Sequence, residues 1–139
     1  MKTKKYLTVA LLFALTLGFV SCGKYEEGPG LSLRTKKARI SNVWKPVKVI
    51  SNFIEDTAAL SLETRVEFTR DDVFRIYIDS SQTWVTGEWE FSEDKLRVIG
   101  TYAVPFVGEF KWDRKIIRLT ADEFWVERGN GNRVYYEPS

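Results

Sequence analysis

Cys22 is the one thiol in a chain of 139 residues that contains no histidine. A lone sulfur closes no internal disulfide and builds no thiolate zinc site. Without imidazole there is also no Ser-His-Asp triad, no Cys-His dyad and no histidine-bearing metal centre. The remaining candidates for bond chemistry are carboxylates: Glu88, Glu90, Glu109 and Glu123 could pair for glycoside hydrolysis, which requires two acids and no base of another kind. Alternation with apolar neighbours, however, puts Glu88, Glu90 and Glu109 on the outward side of their strands, where solvation accounts for them. The chain is therefore expected to be non-catalytic. No run of oxygen ligands has the spacing of a calcium loop, so no metal and no cofactor is expected. Two kinds of chemistry are left, modification of Cys22 and noncovalent binding by nine Phe, six Tyr and five Trp.

Cys22 stands at the end of a segment that explains it. Lys2, Lys4 and Lys5 precede an apolar run of about 15 residues, shorter than the roughly 20 that a membrane-spanning helix needs, and polar sequence follows immediately. That is the plan of a secretory signal. Ordinary signal cleavage requires small residues one and three positions before the cut, and Phe19 is large. Phe19-Val20-Ser21-Cys22 instead resembles a bacterial lipobox, with Phe in place of the usual Leu. The resemblance implies that residues 1–21 are a lipoprotein signal peptide and that Cys22 becomes the lipidated first residue of the mature chain. Its palmitate-type acyl chains would anchor it in the outer membrane of the cell envelope, stably because two or more chains are involved. Removing residues 1–21 takes three lysines and no acid, leaving 18 basic against 19 acidic residues and a charge of −1. No basic field suited to nucleic acid remains.

Residues 22–31, with three glycines and a proline, read as a flexible tether. Within it Tyr25-Glu26-Glu27 loosely resembles the acidic export signals of Bacteroidota lipoproteins, although a solvated linker explains two glutamates equally well. After a helical turn within residues 32–39 the chain becomes a series of short alternating runs. Residues 43–50 form the first, with Pro46 marking an edge or a bulge. Val66 and Phe68 alternate with Arg65 and Glu67, and Phe74, Ile76 and Ile78 follow after the tight Arg70-Asp71-Asp72 connection. Val85, Gly87, Trp89 and Phe91 share one face; Leu96 and Val98 follow. Phe106, Gly108, Phe110 and Trp112 share another face, ending at an expected turn at Asp113-Arg114. Ile117 and Leu119, Phe124 and Val126, and Val134 and Tyr136 complete the series, the last two joined through Gly129-Asn130-Gly131-Asn132, a strong hairpin signal. About eight strands with connections too short for crossover helices require an antiparallel up-and-down meander. Closing it into a small barrel hides the aromatic face and removes the edges; a two-sheet sandwich is the competing arrangement.

Residues 32–40, running into Asn42-Val43-Trp44-Lys45, resemble the entry segment of lipocalin-like lipoproteins of the Bacteroidota type. Val66-Glu67-Phe68, Gly87-Glu88-Trp89-Glu90-Phe91 and residues 117–126 match that family's later pattern in order and spacing. One departure is Asp71-Asp72, where the family often has Asp-Gly. The resemblance covers residues 32–139 and implies an all-β lipocalin-like barrel with an apolar pocket, Trp44 plugging its closed end.

On that reading Phe68, Phe74, Trp89, Phe106 and Phe110 face the interior and are the candidates to touch a small apolar ligand. The same spacing also describes residues that simply fill a barrel. Gly87 and Gly108 on that face either open space or mark bends. Tyr77, Trp84, Trp125 and Tyr135 face outward, and either meet a protein, glycan or headgroup partner or lie under the N-terminal segment. Two functions stay open: a membrane-anchored carrier of a small hydrophobic molecule, and a solid-barrel accessory lipoprotein that binds a partner through its outer surface.

Overall fold

The computed structural model describes Tyr25, Glu26 and residues 33–139; Cys22 and the expected signal peptide lie outside the described residues. A five-residue helix α1 (Lys36–Ile40) is followed by β1 (Val43–Ser51), β2 (Ile54–Glu55), a single helical turn α2 (Thr57–Leu60), β3 (Val66–Phe68), β4 (Val73–Ile78), β5 (Thr83–Phe91), β6 (Arg97–Val104), β7 (Gly108–Leu119), β8 (Phe124–Glu127) and β9 (Arg133–Pro138). Every pairing is antiparallel, and β9 returns to pair with β1 from Trp44↔Pro138 to Ile50↔Arg133. Eight strands therefore close as an up-and-down barrel, and β2 is a two-residue extension on β1. The sandwich alternative is excluded by the β1–β9 ladder.

Local chemistry accounts for the corners. Thr35 caps α1 by accepting the Ala38 amide at 3.1 Å, and Asp56 caps α2 by accepting that of Ala59 at 2.8 Å. The ladder shifts register between Pro46 and Lys48, at the proline that has no amide to donate. In the β8–β9 hairpin Gly131 takes φ +82° and donates to the Arg128 carbonyl. Asp72 adopts φ +64°, so the tight β3–β4 turn holds an aspartate in the left-handed position.

One sequence expectation is corrected. Asp113-Arg114 is not a turn: β7 runs through it for 12 residues, with Asp113 paired to Ile99 and Arg114 to Val98. Arg97 Nε, on the neighbouring strand, donates to Asp113 Oδ1 at 2.8 Å, which makes an outward charge compatible with the sheet. The irregularity falls instead at Ile117, between the pairs of Ile116 and Arg118, where β7 leaves β6 and follows β8.

The interior is aromatic. Phe68 lies 5.3 Å from Phe74, 5.4 Å from Trp89, 5.7 Å from Trp112 and 5.9 Å from Phe124, between ring centroids. These separations are those of rings in direct tilted or edge contact.

Candidate functional site at the barrel end opposite the first helix

Because the strands alternate in direction, their connections alternate between the two ends. The β3–β4, β5–β6 and β7–β8 turns share one end with α1, which holds it shut. Lys37 Nζ reaches Asp72 in the first of these turns at 2.6 Å, and Arg39 donates to the Leu119 carbonyl beside the third at 2.8 Å. Trp44 lies beneath, fully buried, its indole N–H donating to the Ile40 carbonyl at 2.8 Å. The second turn is reached by residues expected to be tether. Tyr25 is buried, its hydroxyl donates to the Lys95 carbonyl at 3.2 Å, and Lys36 Nζ sits 4.3 Å from its ring centroid. Glu26 beside it pairs with Lys115 and Arg133 on the barrel wall. Burial pushes the Tyr25 phenol up to about 12, and the hydrogen bond and charge of Lys115 hold the Glu26 carboxyl below its ordinary range. Part of the segment expected to be flexible is thus a docked strap.

The opposite end carries the β1–β2, β4–β5, β6–β7 and β8–β9 turns, and with them most of the exposed large apolar residues: Phe53, Ile54, Leu62, Phe106, Val107 and Phe110. The β1–β2 turn has two residues, Asn52 at φ +50° and Phe53 at φ +65°. Such a turn usually places glycine second. In the β6–β7 turn Val107 donates to the Val104 carbonyl, Pro105 comes second and Phe106, third, stands at φ +65°, again a position where glycine is usual. Both phenylalanine side chains are fully exposed, at 101% and 110% of the reference area.

The five aromatic residues expected to line a pocket divide into two groups. Phe68, Phe74 and Trp89 do face inward, each less than 5% exposed, and their rings fill the space they were expected to surround. Phe106 does not face inward: the turn it occupies lies beyond the wall, so the alternation of β7 does not reach it. Phe110 keeps the phase of Trp112 but projects past the barrel's end, 40% exposed and stacked on Tyr102 at 5.7 Å. Gly108 likewise lies in the open, at φ +135° with nothing near its absent Cβ. A Cβ on Gly87 would run into the Thr101 carbonyl, and one on Gly100 would come within 2.7 Å of the Phe74 ring. Both glycines therefore permit close approach and leave no vacant space at their own positions. The outward aromatics pair with each other, Tyr77 with Trp84 at 5.3 Å and Trp125 with Tyr135 at 5.0 Å, flanked by Arg65, Arg75, Arg118 and Lys48.

A polar cluster inside the barrel was not foreseen. Arg114 points inward over Trp112, 4.7 Å from the ring centroid, and donates to the Asp113 carbonyl at 3.0 Å. Glu63, from the connection after α2, accepts from Arg128 at 2.8 Å and from the Tyr136 hydroxyl at 3.1 Å, with its side chain only 5% exposed. Burial lowers the Arg114 pKa; burial, then the Glu63 charge, raises that of Tyr136 well above the tyrosine range. The period-two series Phe110, Trp112, Arg114, Ile116 was the sequence signal for Arg114; Glu63 and Arg128 belong to connections and gave none.

No protein-family model and no curated protein matches this chain. Its functional reading rests on the geometry.

Proposed function

We propose that this chain is a lipid-anchored protein of the cell envelope whose filled, lipocalin-like barrel is a scaffold, and whose end opposite α1 docks on an apolar patch of a protein partner. The observation that carries the proposal is the pair of phenylalanines, Phe53 and Phe106, fully exposed on left-handed backbones in two turns of the same barrel end. Glycine would relieve both turns, so folding alone does not account for them; strain of this kind concentrates where a side chain must be presented.

Anchoring at Cys22 sets the direction. Tyr25, pinned to the capped end, is three residues from Cys22, a span of at most about 11 Å. A lipid there tethers the chain close to the β5–β6 turn that Tyr25 meets, at the end away from Phe53 and Phe106, which supports a protein rather than the protein's own membrane as their contact. The small-ligand carrier, the other reading of such a barrel, has weaker support because Phe68, Phe74 and Trp89 occupy the interior themselves.

Placing a photo-crosslinking phenylalanine analogue at position 53 or 106 in intact cells tests this reading. A protein adduct of one discrete mass from both positions, and none from outward Glu90, is expected. Adducts to lipid alone, or to nothing, overturn it. A clickable palmitate should label the wild type and not Cys22→Ala; persistent labelling would overturn the anchoring part.

A further inference from the structure

Between the β1–β2 turn and the β8–β9 turn lies a surface cleft of about 490 Å³, lined chiefly by Asn52, Phe53, Glu127, Asn132, Arg133 and Tyr135. Its volume falls in the range of roughly 300–1,000 Å³ usual for small-ligand sites. We infer that this cleft binds a neutral carbohydrate, of about one or two sugar units.

The chemistry of the walls excludes the other classes in turn. A purely apolar ligand would leave the side-chain amides of Asn52 and Asn132 without partners. An anion would have to compete for Arg133, which already faces two carboxylates, Glu26 at 3.4 Å and Glu127 at 3.7 Å. A cation finds those same carboxylates neutralised by Arg133 and, for Glu26, by Lys115 at 2.5 Å. The cleft is thus close to charge balance while rich in planar groups that both donate and accept. Adjacent hydroxyls on a sugar ring, each donor and acceptor at once, match such groups. The other face of a sugar is a patch of C–H bonds, which packs on aromatic rings. Tyr135 lines the cleft with Trp125 5.0 Å away and Lys48 Nζ 4.5 Å from its ring, so the ring open for stacking is Phe53. Phe53 stands free above the cleft. The Asn130 side-chain oxygen accepts from the Asn132 backbone N–H at 3.1 Å, which fixes the β8–β9 side of the cleft. The strained turn delivers Asn52 and Phe53 together on the opposite side.

This inference goes beyond the rim reading; Phe53 is the residue the two share, and Phe106 belongs to the rim alone. The test titrates the full lipid-anchored chain, in a detergent without a sugar headgroup, with maltose, cellobiose, lactose, mannobiose and chitobiose, read by saturation-transfer NMR and calorimetry. At least one disaccharide is expected to bind saturably in the millimolar range. Asn132→Ala and Tyr135→Ala should each weaken it about tenfold or more, with near-ultraviolet circular dichroism confirming the fold, and Phe106→Ser should leave it unchanged. Absence of saturable binding by all five, or binding that survives both cleft substitutions, overturns the inference. In that event the crosslinks from position 106 still decide the rim reading.

Discussion

A phenylalanine at positive φ holds its Cβ against the following carbonyl, at a cost of about 1–2 kcal/mol. Phe53 and Phe106 both do so while burying nothing. Phe53→Gly and Phe106→Gly are therefore expected to raise stability by about 0.5–1 kcal/mol each, the relief of strain being partly offset by the greater freedom of glycine in the unfolded chain. Chemical denaturation reads this directly; a loss of stability on either change would show that the side chain has a structural contact and would remove the reason for calling the rim functional. Glu63 is the converse case, a charged residue with contacts that matter. Glu63→Ala leaves Arg128 and the Tyr136 hydroxyl without their acceptor inside the wall. A cost of about 3 kcal/mol is expected, the lower end for a broken buried pair because Arg128 remains partly solvated. Arg114→Met should cost far less, since it removes a buried charge and restores apolar packing on Trp112. A double variant that loses clearly less than the sum of the two single losses would show that Glu63 and Arg114 are coupled.

At the scale of elements, Tyr25 and Glu26 fasten the chain's entry to the barrel with bonds that titrate at opposite ends of the pH range. Ionising Tyr25 would put a charge in a buried place, so its phenol contributes below the ordinary tyrosine pKa of 10, and that contribution is lost as the pH climbs from there through about 12. Glu26 holds as a carboxylate: its contribution is present above the ordinary carboxylate range and is lost as the pH falls through its lowered pKa. Thermal melts of Glu26→Gln should match the wild type in strong acid and fall below it near neutrality, and Tyr25→Phe should remove the step near pH 12 from the tyrosinate absorbance. If the Glu26→Gln deficit persists unchanged in acid, the strap is held by packing alone.

Much of this architecture was legible in the sequence and some was not, for reasons that particular residues make clear. Val66-Glu67-Phe68 and Gly129-Asn130-Gly131-Asn132 carry their structure locally, through period two and through turn chemistry, and both formed as read. Asp113-Arg114 misled because two adjacent charges resemble a turn unless Arg97 is known to lie across the ladder, a long-range fact. Phe106 misled because the alternation of β7 was extended through Gly108 into a turn that obeys no alternation. Phe53 gave no sign at all: in a strand-by-strand reading a phenylalanine is core, and only its backbone angle shows that it is presented to the outside.

For the whole molecule, closure by the β1–β9 ladder removes every long edge, and the aromatic interior then decides whether the enclosed space can take up anything. Trp44, Phe68, Phe74, Trp89, Trp112, Phe124 and Tyr136 are each 5% exposed or less and are linked ring to ring. A fatty acid or retinoid could enter only by displacing several of these rings, each of which makes dozens of dispersion contacts. A carrier would gain about 2.7 kcal/mol of stability from a ligand present at a hundredfold excess over its dissociation constant, visible as a raised melting temperature and a change in tryptophan fluorescence. A filled barrel gains nothing. Titration with a fluorescent fatty acid and with a retinoid is therefore expected to shift neither the melt nor the emission. Gly100→Ala, which presses a methyl group against Phe74, is expected to destabilise by about 1–3 kcal/mol, because a close-packed interior has no room to absorb it. Saturable uptake of either probe, together with a tolerated Gly100→Ala, would mean that the rings yield, and the barrel would then have to be regarded as a carrier whose cavity opens only around its ligand.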